Sequence, residues 1–209
     1  MRLYDCETAP SPRRARMFIA EKGAPVEILQ VDLAGGAHLE PAFRALNPRC
    51  TVPVLQLDDG GTIVENVGIA RYLEEMFPAP PLLGTTPYEK ALVLEWNTRI
   101  EHDGFMAVQE AFRNKARGLA GRALTGLRNY EQIPALIERG RQRTEDFLAM
   151  LDDHLADRDF ICGGGYSFAD ITATVAVDFC KWIKVPVPDE AANLRRWYEA
   201  MQARPSYTA

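Results

Sequence analysis

Over the first 77 residues, short apolar runs alternate with amphipathic stretches, whereas beyond residue 87 the apolar pattern is helical throughout. Arg2 to Asp5 predicts a short first strand. Ala15, Phe18 and Ile19 recur at i, i+3 and i+4, so the next segment has one buried helical face. Ser11-Pro12 predicts its start, with serine as N-cap and proline in the first helical position, and Gly23 predicts its stop. Val26 to Val31 is rich in β-formers and predicts a second strand. A Gly35-Gly36 loop leads to a short helix near Leu39 to Leu46, ended by Asn47-Pro48. Val52 to Leu57 and Thr62 to Val64 flank Asp58-Asp59-Gly60-Gly61, a hairpin signal. Ile69, Ala70, Leu73, Met76 and Phe77 then form the apolar stripe of a further helix. The predicted order is β-α-β-α-β-β-α.

The stretch from Phe77 to Pro87 carries four prolines and a glycine and cannot continue a helix. It divides the chain into a mixed part, 1–77, a linker, 78–87, and an all-helical part, 88–209. A long amphipathic helix is expected from about Tyr88 to Arg117, a loop over the glycine- and arginine-rich 117–130, and a helix from about Pro134 to Leu155. Ser167 and Asp170 have capping-box spacing, with Tyr166 and Ile171 placed for a hydrophobic staple. That box reads as folding equipment rather than chemistry.

Composition narrows the class. With 47% apolar and 25% charged residues the chain suits a soluble globular protein. A net charge of -5 and a pI of about 5.3 argue against a nucleic-acid partner. No run of 18 apolar residues predicts a membrane span, and the residues after Arg2 lack the apolar core of a signal peptide. Cys6, Cys50, Cys162 and Cys180 form no C-x-x-C, and none pairs in sequence with His38, His102 or His154. The expectation is a reduced, cytoplasmic protein without a structural metal.

One segment carries most of the chemistry. Pro53 lies one residue into an otherwise strand-like run, although proline has no N–H for a ladder. One way out is a cis Val52-Pro53 bond, which turns the chain and leaves the Val52 backbone facing outward. Glu65-Asn66 then places an acid and an amide at a helix start. Together with F-R-A-L-N-P at 43 to 48, A-R-Y-L-E-E at 70 to 75 and N-L-R-R-W-Y-E-A-M-Q-A-R-P at 193 to 205, this segment resembles the glutathione transferase family, nearest its Ser/Asn-type bacterial and fungal branches. The spacing N-P…V-P…E-x-x-x-I-x-x-Y-L is specific as a set, and the resemblance covers nearly the whole chain.

The resemblance implies an α/β thioredoxin-like N-terminal domain followed by an all-α domain, and a homodimer. It implies glutathione as co-substrate and a hydrophobic electrophilic small molecule as its target. Val52 and Pro53 correspond to the cis bond that grips the cysteinyl backbone of glutathione, and Glu65 to the acid that takes the γ-glutamyl ammonium. Asn66 stands where the family usually has serine; asparagine still donates to a carboxylate, or simply caps the helix. His38 matches a theta-like histidine that meets the glycyl carboxylate; the alternative is a plain surface-loop histidine. Ser11 is the candidate hydroxyl donor to the thiolate. Serine-type registers place Ala9 or Pro10 at the catalytic position, whereas a Nu-like register places Ser11 under an active asparagine. Thr8, Arg13 and Cys6 are lesser candidates, and Tyr4 is expected to pack inside its strand. An acceptor pocket between the domains would draw on Phe105, Met106 and Phe112, less on Trp182 and Tyr207, although such spacing also suits plain core. Glu101 or Asp103 would be the acid that relatives extend toward the partner subunit's glutathione. Competing readings are disulfide reduction of the Nu-like type, a zeta-like isomerase, disfavoured because Ala9-Pro10-Ser11 replaces S-S-C, and a non-enzymatic interaction protein.

Overall fold

The computed structural model describes all 209 residues, which form two compact units. The first comprises residues 1–80 with the short pieces 125–128 and 208–209; the second comprises 81–124 and 129–207.

In the first unit β1 (Arg2–Asp5), β2 (Glu27–Gln30), β3 (Val54–Gln56) and β4 (Thr62–Val64) form one sheet in the order β2-β1-β3-β4. β1 and β2 are parallel, so a crossover must join them, and α1 (Pro10–Lys22) supplies it. β3 runs antiparallel to both β1 and β4, and Gly60 takes φ 90° in the β3–β4 turn. α1 packs against α3 (Asn66–Met76), and Met17, Phe18, Ile69 and Leu73 are fully buried. Burial of each such side chain stabilises the fold by roughly 1.5–3 kcal/mol. Phe43 of α2 (Pro41–Leu46) packs with Val31 and Val54, against Tyr4, Val52 and Val64. Between α1 and α3 the fully buried Lys22 ammonium meets Glu74 at 2.5 Å and also donates to the Pro80 carbonyl. A lysine out of water needs such partners to remain charged.

The start of α1 differs from the sequence expectation. Ala9, not Ser11, is the N-cap, and no side chain caps the helix. Two prolines explain the shift: Pro10 and Pro12 both hold helical φ, and both fall in the first turn, where a missing N–H costs nothing. Ser11 therefore sits at the second helical position with its hydroxyl free of capping.

The second unit is built from α4 (Pro87–Arg99), α5 (Met106–Lys115), α6 (Ala135–His154), α7 (Phe168–Cys180) and α8 (Ala192–Gln202). The single long helix expected over residues 88–117 is broken by a π-helical turn at Ile100–Phe105. Gly104 lets that widened turn press onto the Phe147 ring: a Cβ there would lie 2.5 Å from Phe147 Cζ. Residues 117–130 hold one 3-10 turn, Arg117–Leu119, and an isolated bridge from Arg122 to Tyr130. The Arg113 guanidinium steadies this stretch by donating to the carbonyls of Arg122, Ala123 and Leu124.

α7 is the centre of the unit, buried without interruption from Phe168 to Val177. The Asp170 carboxylate, fully buried, accepts from Ser167 N–H at 3.0 Å, Ser167 Oγ at 2.8 Å, Ile161 N–H at 2.9 Å and Trp197 Nε1 at 3.1 Å. The Ser167–Asp170 box is thus folding equipment that also ties α8 to α7. No helix is long and apolar enough to cross a membrane.

Candidate active site

Strand register gathers the candidate residues of the first unit. Val54 lies between Tyr4 and Val64 in the sheet. The residues just beyond the strands, Cys6, Val52-Pro53 and Glu65-Asn66, therefore lie at the same end of the sheet. The loop from Cys6 to Ala9 delivers the chain there to the start of α1.

A buried network fixes that loop. Asp5, fully buried, accepts from Arg16 Nη1 at 2.5 Å and Gln30 Nε2 at 2.6 Å. Gln30 Oε1 accepts the Glu7 N–H at 2.8 Å, and Arg16 Nη2 donates to the Glu7 carbonyl at 3.1 Å. The Ala9 N–H closes the turn on the Cys6 carbonyl at 2.9 Å. A carboxylate taken from water is tolerable only when its oxygens are filled in this way.

Ser11 is half-buried at the end of this loop. Pro10 and Pro12 lack an N–H, so Ser11 carries the only peptide donor among the first three residues of α1. Its Oγ accepts from Asn66 Nδ2 at 3.1 Å and, more weakly, from Arg14 Nη2 at 3.4 Å. Helix N-terminus, amide and hydroxyl together make a small anion-favouring centre.

Asn66 is the first residue of α3 and only 4% exposed, with its Oδ1 buried and unpartnered. Glu65 occupies the N-cap position, so the expectation of Asn66 as cap gives way to a side chain turned on Ser11. Glu65 itself has φ 70° and ψ 134°, a conformation that costs a residue with a Cβ roughly 1–3 kcal/mol and concentrates at functional sites. Its carboxylate is exposed and lies 3.5 Å from Arg49.

The Val52-Pro53 bond is cis, as the sequence implies. The N–H and C=O of Val52 take no part in the strand ladders or in other backbone hydrogen bonds. Asn47 holds the approach: its Nδ2 donates to the Thr51 carbonyl at 2.8 Å and its Oδ1 accepts the Arg49 N–H at 3.0 Å. The N-P…V-P spacing thus has a mechanical meaning. His38 lies in the 3-10 turn Ala37–Leu39 and is 8% exposed. Tyr4 packs edge-on against Phe43 and its hydroxyl donates to Gln56 Oε1. Cys6 is half-buried with its sulfur 3.5 Å from Thr8 Oγ1.

In the second unit Phe105, Phe112, Phe179 and Trp182 form a four-ring cluster with centroid separations of 4.9–5.8 Å. Phe105 is buried, Phe112 half-buried and Trp182 exposed. Tyr207 instead donates to Asp178, alongside Tyr198 and Lys181. Glu101 and Asp103 lie in the π-helical turn, Asp103 exposed.

Sequence reading missed the Asn66–Ser11 contact, which spans 55 positions, and the Asp5–Arg16–Gln30 network.

Two family models match the chain. The model described as "Glutathione S-transferase, N-terminal domain" matches residues 8–76, and "Glutathione S-transferase, C-terminal domain" matches 134–200. The chain is 36% identical over 208 residues to Glutathione S-transferase 2 of Saccharomyces cerevisiae, covering 99% of its own length and 87% of the yeast protein. The chain belongs to the glutathione S-transferase family. Its fold agrees at TM-score 0.91 and 36% identity with a glutathione S-transferase domain-containing protein of Marinobacter aquaeolei, covering 99% of each chain. A glutathione S-transferase of Methylobacillus flagellatus, solved with GSH bound, is 25% identical at TM-score 0.83 and covers 100% of this chain and 98% of its own. In this glutathione S-transferase the N-terminal model spans Ser11, His38, Val52, Glu65 and Asn66 together.

Proposed function

We propose that the protein is a glutathione transferase in which the Ser11 hydroxyl donates a hydrogen bond to the glutathione thiolate. The observation that carries this reading is Ser11 itself: half-buried in the first turn of α1, its oxygen already accepting from Asn66 and Arg14. A free cysteine thiol has a pKa of ~8.5, so little is ionised at neutral pH. Lowering it by about two units takes roughly 2.7 kcal/mol of preferential anion stabilisation. One charge-assisted hydrogen bond supplies about 1.5–3 kcal/mol, and a helix N-terminus about 0.3–1 kcal/mol. The two together suffice.

The rest of glutathione meets the other groups at that sheet end. The backbone N–H and C=O of Val52 pair with the cysteinyl unit as an added strand would. The exposed Glu65 carboxylate takes the γ-glutamyl ammonium. The backbone N–H of Asn66, at the start of α3, faces the γ-glutamyl carboxylate. His38 serves the glycyl carboxylate. The thiolate sulfur then forms a C–S bond to the electrophile, whose leaving group departs with its electron pair. A homodimer in the cytoplasm completes the reading by family likeness.

The test is the absorbance of bound glutathione at 240 nm against pH. A bound thiol pKa near or below 7 that rises in Ser11→Ala is the expected result. No binding at millimolar glutathione defeats the reading. A low pKa that survives in Ser11→Ala retains the transferase and removes Ser11 as donor.

A further inference from the structure

We infer that Asn66 is a positioning residue, whose side-chain amide holds the Ser11 oxygen so that the hydroxyl proton is turned outward. The inference rests on the reading of Ser11 as donor. A hydroxyl has two lone pairs and one proton. In Ser11 the Asn66 Nδ2 occupies one lone pair at 3.1 Å and Arg14 Nη2 approaches the other at 3.4 Å. With both acceptor sites addressed, what Ser11 has left to offer a ligand is its O–H. Donation into an oxygen also polarises that O–H, which strengthens the bond it makes to an anion.

The Asn66 side chain makes its one hydrogen bond to Ser11. It is 4% exposed, it does not cap α3, and its Oδ1 is buried without a partner. A buried acceptor left unpaired costs stability. An amide kept at that cost, with its one hydrogen bond aimed at Ser11, fits a positioning duty better than a packing one. The opposite amide orientation would spend the Ser11 proton on Oδ1 and leave none for a sulfur. Asn66→Asp imposes that state, because an ionised carboxylate has no proton to donate and is nearly isosteric.

The experiment measures the bound-glutathione thiol pKa at 240 nm in Ser11→Ala, Asn66→Ala, Asn66→Asp and Ser11→Ala/Asn66→Ala. The Kd for S-methylglutathione, which has no thiol to ionise, is measured alongside. Both Asn66 variants are expected to raise the thiol pKa by about one unit, a tenfold loss in the ionisation constant. The Kd for S-methylglutathione reads any separate loss of γ-glutamyl binding, and the double variant is expected to match Ser11→Ala in thiol pKa, because Asn66 acts on the sulfur only through Ser11. A wild-type pKa in both Asn66 variants, with a shift in Ser11→Ala, overturns this inference alone. Additive shifts in the double variant overturn it too, because Asn66 would then act on the sulfur directly. No shift in Ser11→Ala removes the parent reading and this inference together. Asn66→Asp preserves side-chain volume and so serves if Asn66→Ala fails to fold.

Discussion

Gly140→Ala and Gly68→Ala are the same substitution on helices, and the structure gives them opposite outcomes. At Gly140 in α6 a new Cβ would sit 2.7 Å from the Ala107 carbonyl oxygen, 2.7 Å from the Ala111 nitrogen and 3.0 Å from Ala111 Cβ. Ordinary contact begins at 3.4 Å, so the shortfall to the two backbone atoms is 3.4 − 2.7 = 0.7 Å. Neither can rotate away, so α5 and α6 must part along their shared face. Such overpacking costs about 1–3 kcal/mol, against a gain of roughly 0.5–1 kcal/mol for replacing a helical glycine. The net expectation is a loss of about 1–2 kcal/mol. At Gly68 in α3 the new Cβ meets only Ile63 Cγ2, at 3.2 Å, a single methyl that needs to give by only a few tenths of an ångström. There the propensity gain prevails, and the expectation runs from neutral to about 1 kcal/mol stabilising. Urea unfolding at constant m-value reads both as midpoint shifts. If Gly140→Ala proves as stable as Gly68→Ala, the close helix contact is not what selects glycine at 140.

Other consequences are as direct. Asp170→Ala leaves the N–H groups of Ile161, Ser167 and Trp197 buried without their acceptor. At about 1–3 kcal/mol per orphaned donor it should cost 3 kcal/mol or more, read as a fall in the urea midpoint; a loss below about 1 kcal/mol refutes the accounting. Burial holds the His154 imidazole below its ordinary pKa, with its ring against Trp96 and Nε2 on the Ile161 carbonyl. Just below pH 6.5 the unfolded chain therefore binds more protons at His154 than the folded one, and unfolding free energy falls as pH falls through that range. His154→Gln should flatten this slope between pH 7.5 and 5.5, and an unaltered slope refutes the assignment. Burial pushes the Cys180 thiol up to about 12 and the Cys162 thiol up to about 11. Both should resist thiol reagents at pH 7.5 in the folded state, as peptide mapping after brief labelling would show, and rapid labelling of Cys180 would contradict its burial.

Local chemistry was legible wherever its partners are neighbours in sequence. The i, i+3, i+4 pattern of Ala15, Phe18 and Ile19, the Asp58–Gly61 turn and the Ser167–Asp170 box each act within a few residues, and each element stands where the pattern places it. Val52-Pro53 was legible for a related reason: proline in a strand context leaves the backbone few choices. The start of α1 was misjudged because Ser11-Pro12 and Ala9-Pro10 both satisfy local rules, and the first-turn tolerance for proline admits either. The break in the long helix at Ile100–Phe105 escaped for a different reason. It accompanies the approach of Gly104 to Phe147, 43 residues away, and no window of helical periodicity contains both.

The sequence by itself determined the order of strands and helices, the exclusion of a cluster of metal-spaced cysteines and the family signature, because backbone sterics and amphipathic periodicity operate over one or two turns. Tertiary structure alone decided what surrounds Ser11. Its oxygen accepts from Asn66 on another helix, and the loop before it is held by Asp5, Arg16 and Gln30. A hydrogen bond of 3.1 Å depends on where two distant backbones are brought by the packing of α1 on α3, and that packing is a sum over the whole core rather than a property of either residue's surroundings in the chain.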